Sequence, residues 1–163
     1  MVDIVFDGSI TGTGINLGDT TLSDYEEGTF TPTFTFATPG DLSNVYTRQL
    51  GFYTRIGRQV FITIDITVTP TFTTSSGNMR IGDLPFTVIN TASANNGLVT
   101  IVNHSTNLTY GASNTGVTGA FSQGNTFLFL RSIGSGTASV SLSPSNVTSG
   151  ISTVFTISGF FIV

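Results

Sequence analysis

The stretch "VFITIDITV", residues 60–68, alternates without a break. Val60, Ile62, Ile64, Ile66 and Val68 fall on one side of an extended chain, and Phe61, Thr63, Asp65 and Thr67 on the other. A repeat of two puts one face of a strand into a core, whereas a helix would space its apolar residues three and four apart. Most of these side chains are β-branched or aromatic, so local preference agrees with the pattern. The segment before it, "LGFYTRIGRQV" (residues 50–60), reads as an aromatic strand joined to this one by a hairpin with Gly57 in the turn.

Outward from this hairpin, helical spacing does not recur, and Thr, Val, Ile and Phe abound where Ala, Leu, Glu and Lys are scarce. Further strands are predicted at residues 31–37, 78–81, 86–90, 98–103, 116–121, 126–132, 138–142 and 153–163. They are separated by turn-forming clusters such as "TPGD", "TSSGN", "SANNG", "SQGN" and "SPSN". Many short strands at such spacing predict an all-β, jelly-roll-like sandwich of antiparallel strands, and no fixed-period repeat argues for a solenoid or propeller. Residues 1–30 differ in character, richer in Gly and Asp with one brief apolar run, "IVF". They read as an extended docking arm ahead of a knob spanning 31–163.

Composition narrows the function. The chain has 163 residues, enough for one core, and only 9% of them are charged against 39% hydrophobic. Seven of the nine acids (Asp3, Asp7, Asp19, Asp24, Glu26, Glu27 and Asp41) precede residue 42, and beyond Asp83 the only formal charge is Arg131. No lysine is present and the net charge is −4, which argues against a groove that neutralises nucleic-acid phosphates. So little surface charge suggests that much of the chain lies against other protein. Cysteine is absent, which excludes disulfides and thiolate metal sites. "MVDIVFDGSI" lacks a basic region and a long apolar run, and no segment is apolar enough for a membrane-spanning helix, so no membrane insertion is expected.

The most catalytic-looking stretch is "SDYEEGTFTPTF", residues 23–34. Two carboxylates can hydrolyse a glycosidic bond, but along an extended chain Asp24 and Glu26 share a face while Glu27 points oppositely, and no tryptophan exists to wall a sugar groove. Arg48, Arg55 and Arg58 lie nearby in sequence, and arginine pairs with carboxylate through two parallel hydrogen bonds. Glu26 and Glu27 are therefore expected to pair with arginines such as Arg55 or Arg58, while Tyr25 and Phe30 anchor the entry into the knob. His104 is the sole histidine, which rules out a histidine metal cluster and leaves an exposed loop residue as its expected state. Asp3, Asp7, Asp19 and Asp24 lack the spacing of a calcium loop, and "GTGINLG" (residues 12–18) lacks that of a phosphate loop. Asn103, Asn107 and Asn146 stand in glycosylation-type triplets that a Ser/Thr-rich chain produces by chance. No catalytic residue, metal or cofactor is expected. The final segment, "TVFTISGFFIV", is apolar on both faces through residues such as Phe160 and Phe161, so it is expected to be a central strand or, by preference, part of a subunit interface.

Three segments, "DYEEGTFTPTF" (24–34), "YTRQLGFYTRIGRQVFITIDITV" (46–68) and "MRIGDLPF" (79–86), together resemble the C-terminal module of tailed-bacteriophage fibre and virion-surface proteins. In that module D-Y-E-E-G-T-[WF]-T-P leads into the first strand, a G-x-Y-T-x-I-G hairpin follows, and a G-L-P-F-like turn comes next. Here Phe30 stands where tryptophan is common, and Asp83 is inserted between Gly82 and Leu84. The resemblance implies a β-sandwich that forms a homotrimer on the virion surface of a phage particle assembled in the host cytoplasm, without enzymatic activity. The short lead ahead of the motif favours a capsid decoration or cement protein docked on other virion proteins by its arm. The alternative is a tail-fibre tip that attaches to host-surface glycans, and a glycan-degrading enzyme comes third.

Overall fold

The structure, a computed structural model, describes residues 14–16, 21–91, 97–105, 107–111 and 113–163. In chain order its strands are β1 (Gly14–Asn16), β2 (Thr21–Ser23), β3 (Glu26–Phe30), β4 (Thr33–Thr38), β5 (Ser43–Ile56) and β6 (Gln59–Thr71). They continue with β7 (Ser76–Gly82), β8 (Gly97–His104), β9 (Gly116–Phe121), β10 (Leu128–Gly134), β11 (Thr137–Ser141) and β12 (Thr153–Ile162). A short 3-10 helix, Pro144–Asn146, precedes β12.

The first sheet has the order β3-β5-β6-β12-β8, all antiparallel, and β6 is its spine. A two-residue turn joins β5 to β6, with Gly57 at φ 58° in the left-handed region that glycine adopts without a Cβ clash. The hairpin runs from Ile56 opposite Gln59 to Ser43 opposite Thr71, with one bulge at Thr47. In the second sheet β10 is the hub. β9 runs along one of its edges, and β7 and then β11 share the other. β4 lies beyond β7, with Thr33 opposite Gly82. β1 and β2 form a separate two-stranded pairing.

The two sheets face each other across one core, as the alternation of residues 60–68 requires. Val60, Ile62, Ile64, Ile66 and Val68 are all buried, and Phe155, Ile157 and Phe161 of β12 join them. Phe34 and Phe36 of β4, Met79 and Ile81 of β7, and Leu128 and Leu130 of β10 come from the opposite sheet. The rings of Phe34 and Phe155 stack between the sheets at 6.0 Å. Each such side chain contributes roughly 1.5–3 kcal/mol by leaving water. Along one side β8 and β9 approach closely, because a Cβ on Gly119 would lie 2.4 Å from Val99 Cγ1.

Three expectations change. Residues 86–90 form no strand; their backbone ties down one end of the sandwich through Val88 N to Asn125 O (2.9 Å) and Ile89 N to Ile162 O (2.8 Å). Leu84 and Val88 are buried there, so this apolar run serves as a plug. The arm boundary at residue 30 falls inside the first sheet, because β3 pairs along its whole length with β5. The sandwich therefore begins near Asp24, whose φ of 54° turns the chain into β3. Residues 1–13 and 17–20 of the expected arm lie outside the described residues. Finally, β12 is covered on both edges by β6 and β8, so it is a central strand and requires no partner chain along an edge; one of its faces enters the core and the other lies on the outside of the sheet.

Candidate functional site

Two of the three quoted segments, 24–34 and 46–68, meet at the β3–β5 pairing. Gly28 lies opposite Tyr53, and Phe30 opposite Gly51. Each glycine sits beneath the ring of its partner: a Cβ on Gly28 would be 2.9 Å from the Tyr53 hydroxyl, and one on Gly51 would be 2.7 Å from the Phe30 ring. Those glycines leave room for the rings to lie flat along the sheet, a reciprocal fit that explains glycine and aromatic residues in both motifs.

Lying over Gly28, the Tyr53 ring carries its hydroxyl to Glu26, donating to Oε1 at 2.6 Å. Tyr25 donates to Glu27 Oε2 at 2.8 Å. These hydrogen bonds to carboxylates, reinforced by the carboxylates' charge, hold both phenols above the usual tyrosine range. The structure thus corrects the expected pairing of Glu26 and Glu27 with Arg55 or Arg58. Arg55 is opposite Glu26 in register but turns its Nε to Gly57 O (2.8 Å) and its guanidinium over Phe86 (5.3 Å), with Asp24 at 3.8 Å. Arg58 donates to Val163 O at 3.1 Å. Arg48 pairs with Asp65 at 2.6 Å on the outer face of the first sheet. Glu26 and Glu27, adjacent on a strand, project to opposite faces and do not flank a common space.

Other candidates are structural. His104 is half-buried rather than exposed, against Tyr110 at 6.3 Å and with Nδ1 3.0 Å from Ser105 O. Asn146 fastens the 3-10 helix to Thr109 O, and Asn107 reaches Ser152 O. Asp3, Asp7 and Asp19 lie outside the described residues, among which no group of three metal-ligating side chains gathers.

Two surfaces remain, one on the outside of each sheet. Across the first sheet, Glu27, Thr54, Phe61, Phe160 and Leu98 lie in one register row, and Thr29, Phe52, Thr63, Ser158 and Thr100 in the next. Phe52, Phe61 and Leu98 are 52%, 44% and 59% exposed, with Leu50 and Ile56 open beside them. A shallow hollow of about 180 Å³ lies among Phe52, Phe61, Thr63 and Ser158. Phe160, expected at an interface, belongs to this row, whereas Phe161 points into the core.

The outside of the second sheet carries Arg80, opposite Phe129 in register, and Arg131 two residues along β10. The Arg80 guanidinium lies 4.3 Å from the Phe127 ring centroid and 5.6 Å from that of Phe129. Arg131 Nη2 donates to Ser139 O at 3.4 Å. Among the described residues neither guanidinium reaches a carboxylate, and the Nε of each is buried without a hydrogen-bond partner. Sequence reasoning did not single out this cluster; the signal was an arginine at the outward position of two alternating runs, "NMRIG" and "LFLRS".

No protein-family model matches the chain, and no curated protein does. Among solved structures, the Dettilon tailspike protein (gp208) is similar, with a TM-score of 0.61 and 17% identity over 85% of this chain. The match spans 24% of the tailspike's length. At that identity the likeness is one of fold, and the all-β sandwich is shared.

Proposed function

We propose that the protein is a non-enzymatic bacteriophage surface protein of the tail, a homotrimer that attaches to the host cell. One observation carries the reading: the sandwich resembles part of a tailspike over 85% of the chain, and its β3–β5 edge is built from segments that resemble phage fibre modules. The capsid-decoration reading draws less support. It rested on the short lead before Asp24, whereas in the neighbour such a sandwich is about a quarter of a longer tail protein.

Self-association is assigned to the outer face of the first sheet, where the exposed Phe61 and Leu98 flank Phe160 in one row. A contiguous apolar strip of that kind is characteristic of an interaction surface. Binding without cleavage is supported by Glu26 and Glu27, which face opposite ways and are each engaged by a tyrosine.

Purified protein is expected to block adsorption of the phage that carries it, and no competition at saturating dose would overturn the attachment reading. Light scattering at micromolar concentration is expected to give three times the chain mass. Particle images with copies at many symmetry-related head positions would restore the decoration reading.

A further inference from the structure

We infer that the outer face of the second sheet binds carboxylate-bearing saccharides, with Arg80 and Arg131 as the charged donors. The inference rests on the attachment reading and names the chemistry of what is attached to. Beyond Asp83 the chain carries no acid, and neither arginine has a carboxylate partner among the described residues. In a protein of net charge −4, these two cations share one face unpaired, since Asp83 at the end of that face accepts from the Thr33 hydroxyl at 2.8 Å instead. Every other arginine has a carboxylate or a backbone carbonyl at its Nε.

The cations are held in place. Arg80 lies against the Phe127 and Phe129 rings, and those rings brace each other edge to face at 5.2 Å. Arg131 is fastened to the Ser139 carbonyl. Side chains already ordered lose little freedom when a ligand binds. Because Phe129 is opposite Arg80 in register, Arg131 is its diagonal neighbour on the same face, roughly 7–8 Å away between backbones. One carboxylate can then be gripped by a guanidinium while the sugar ring lies across the apolar Phe129.

The surroundings select a sugar. Thr35 and Thr118, which flank Arg80 and Arg131 in register, and Ser141 opposite Arg131 offer hydroxyls to a saccharide's own. Two arginines on an acidic protein are too few to hold a nucleic-acid backbone.

The test titrates the protein with tetragalacturonate and its methyl ester, and with sialyl-lactose and its methyl ester. In each pair only the charge of the carboxyl group is removed. The charged member of at least one pair is expected to bind tenfold or more tightly, with that preference lost in Arg80→Gln/Arg131→Gln. Equal binding within both pairs by the wild-type protein overturns the inference without recourse to any variant, and so does a folded double variant that keeps the preference. Adsorption competition separates this site from the reading beneath it. If the wild type and the double variant block adsorption equally, attachment stands and this site falls. If the wild type shows the charged-sugar preference but blocks no adsorption, the site stands and the attachment reading falls.

Discussion

On the outside of the first sheet, charges are engaged in close pairs: Arg48 with Asp65, and Glu27 with the Tyr25 hydroxyl that donates to it. The surface between those pairs is left to Phe52, Phe61, Phe160 and Leu98. The outside of the second sheet has the reverse arrangement, two arginines among aromatic rings that no carboxylate among the described residues reaches, with Asp83 at the sheet's end engaged by the Thr33 hydroxyl instead. Both faces arise from the same alternation of inward and outward residues, so folding alone does not account for the difference. A face whose charged groups are engaged within the chain and which exposes a row of large apolar side chains suits a second copy of the chain. Unbalanced guanidinium groups suit a charged ligand.

Several changes would break or sharpen that contrast. The largest effect is expected from Phe161→Ala, which empties a fully buried site on β12 and should cost about 3–5 kcal/mol by chemical denaturation. Its neighbour Phe160 projects outward 6.1 Å from Phe61, and Phe160→Ala should remove only about 0.5–1.5 kcal/mol of ring pairing. Measured where the protein is a single chain, equal costs would mean that the outward row is packed within the chain itself. Next in size, Gly51→Ala forces a methyl group into the Phe30 ring and should cost about 1–3 kcal/mol, read from the shift in denaturation midpoint. Self-association offers a sharper contrast. Phe61→Asp should lower the light-scattering mass toward that of one chain, while Arg80→Gln/Arg131→Gln should leave it unchanged; the reverse result would exchange the roles of the two faces.

Smaller effects concern the ends that the two sheets share. Asp41, in the connection from β4 to β5, accepts hydrogen bonds from the backbone and hydroxyls of Thr73 and Thr74, in the connection from β6 to β7. The Thr73 hydroxyl and the Thr73 and Thr74 amides hold its carboxyl well below the ordinary value of 3.8. A carboxyl depressed in the folded state stabilises fully above that value and loses its contribution as pH falls below it. Asp41→Asn should therefore flatten the decline of stability on the acid side of pH 4 while lowering stability at neutral pH. Smallest of all, Arg48→Ala should change stability by about 0.2–1 kcal/mol, since its pair with Asp65 is partly exposed.

Much of the sandwich was legible because alternation reports burial directly. Residues 60–68 and 116–121 lie in strands as predicted, and the predicted Gly57 turn joins β5 to β6. Residues 86–90 misled because Val88 and its neighbours are apolar for another reason, closing the sandwich end where their backbone bonds go to distant loops. The pairing of Glu26 escaped because it depends on the Tyr53 ring lying over Gly28, a contact set by register across a sheet. For the same reason the Arg80 and Arg131 cluster was invisible: β7 and β10 are neighbours in space, but residues 83–127 separate them in sequence.

The placement of β12 also bears on the order of assembly. β5 and β6 can zip together through a two-residue turn, but β6 finds its other neighbour only when residues 153–162 return across more than half the domain. Closing so long a loop is slow compared with forming a hairpin, and folding is expected on the millisecond-to-second scale of sandwiches rich in distant contacts. Until β12 arrives, β6 presents an unpaired backbone edge beside Ile62, Ile64 and Ile66, which makes the early hairpin the species most prone to aggregate.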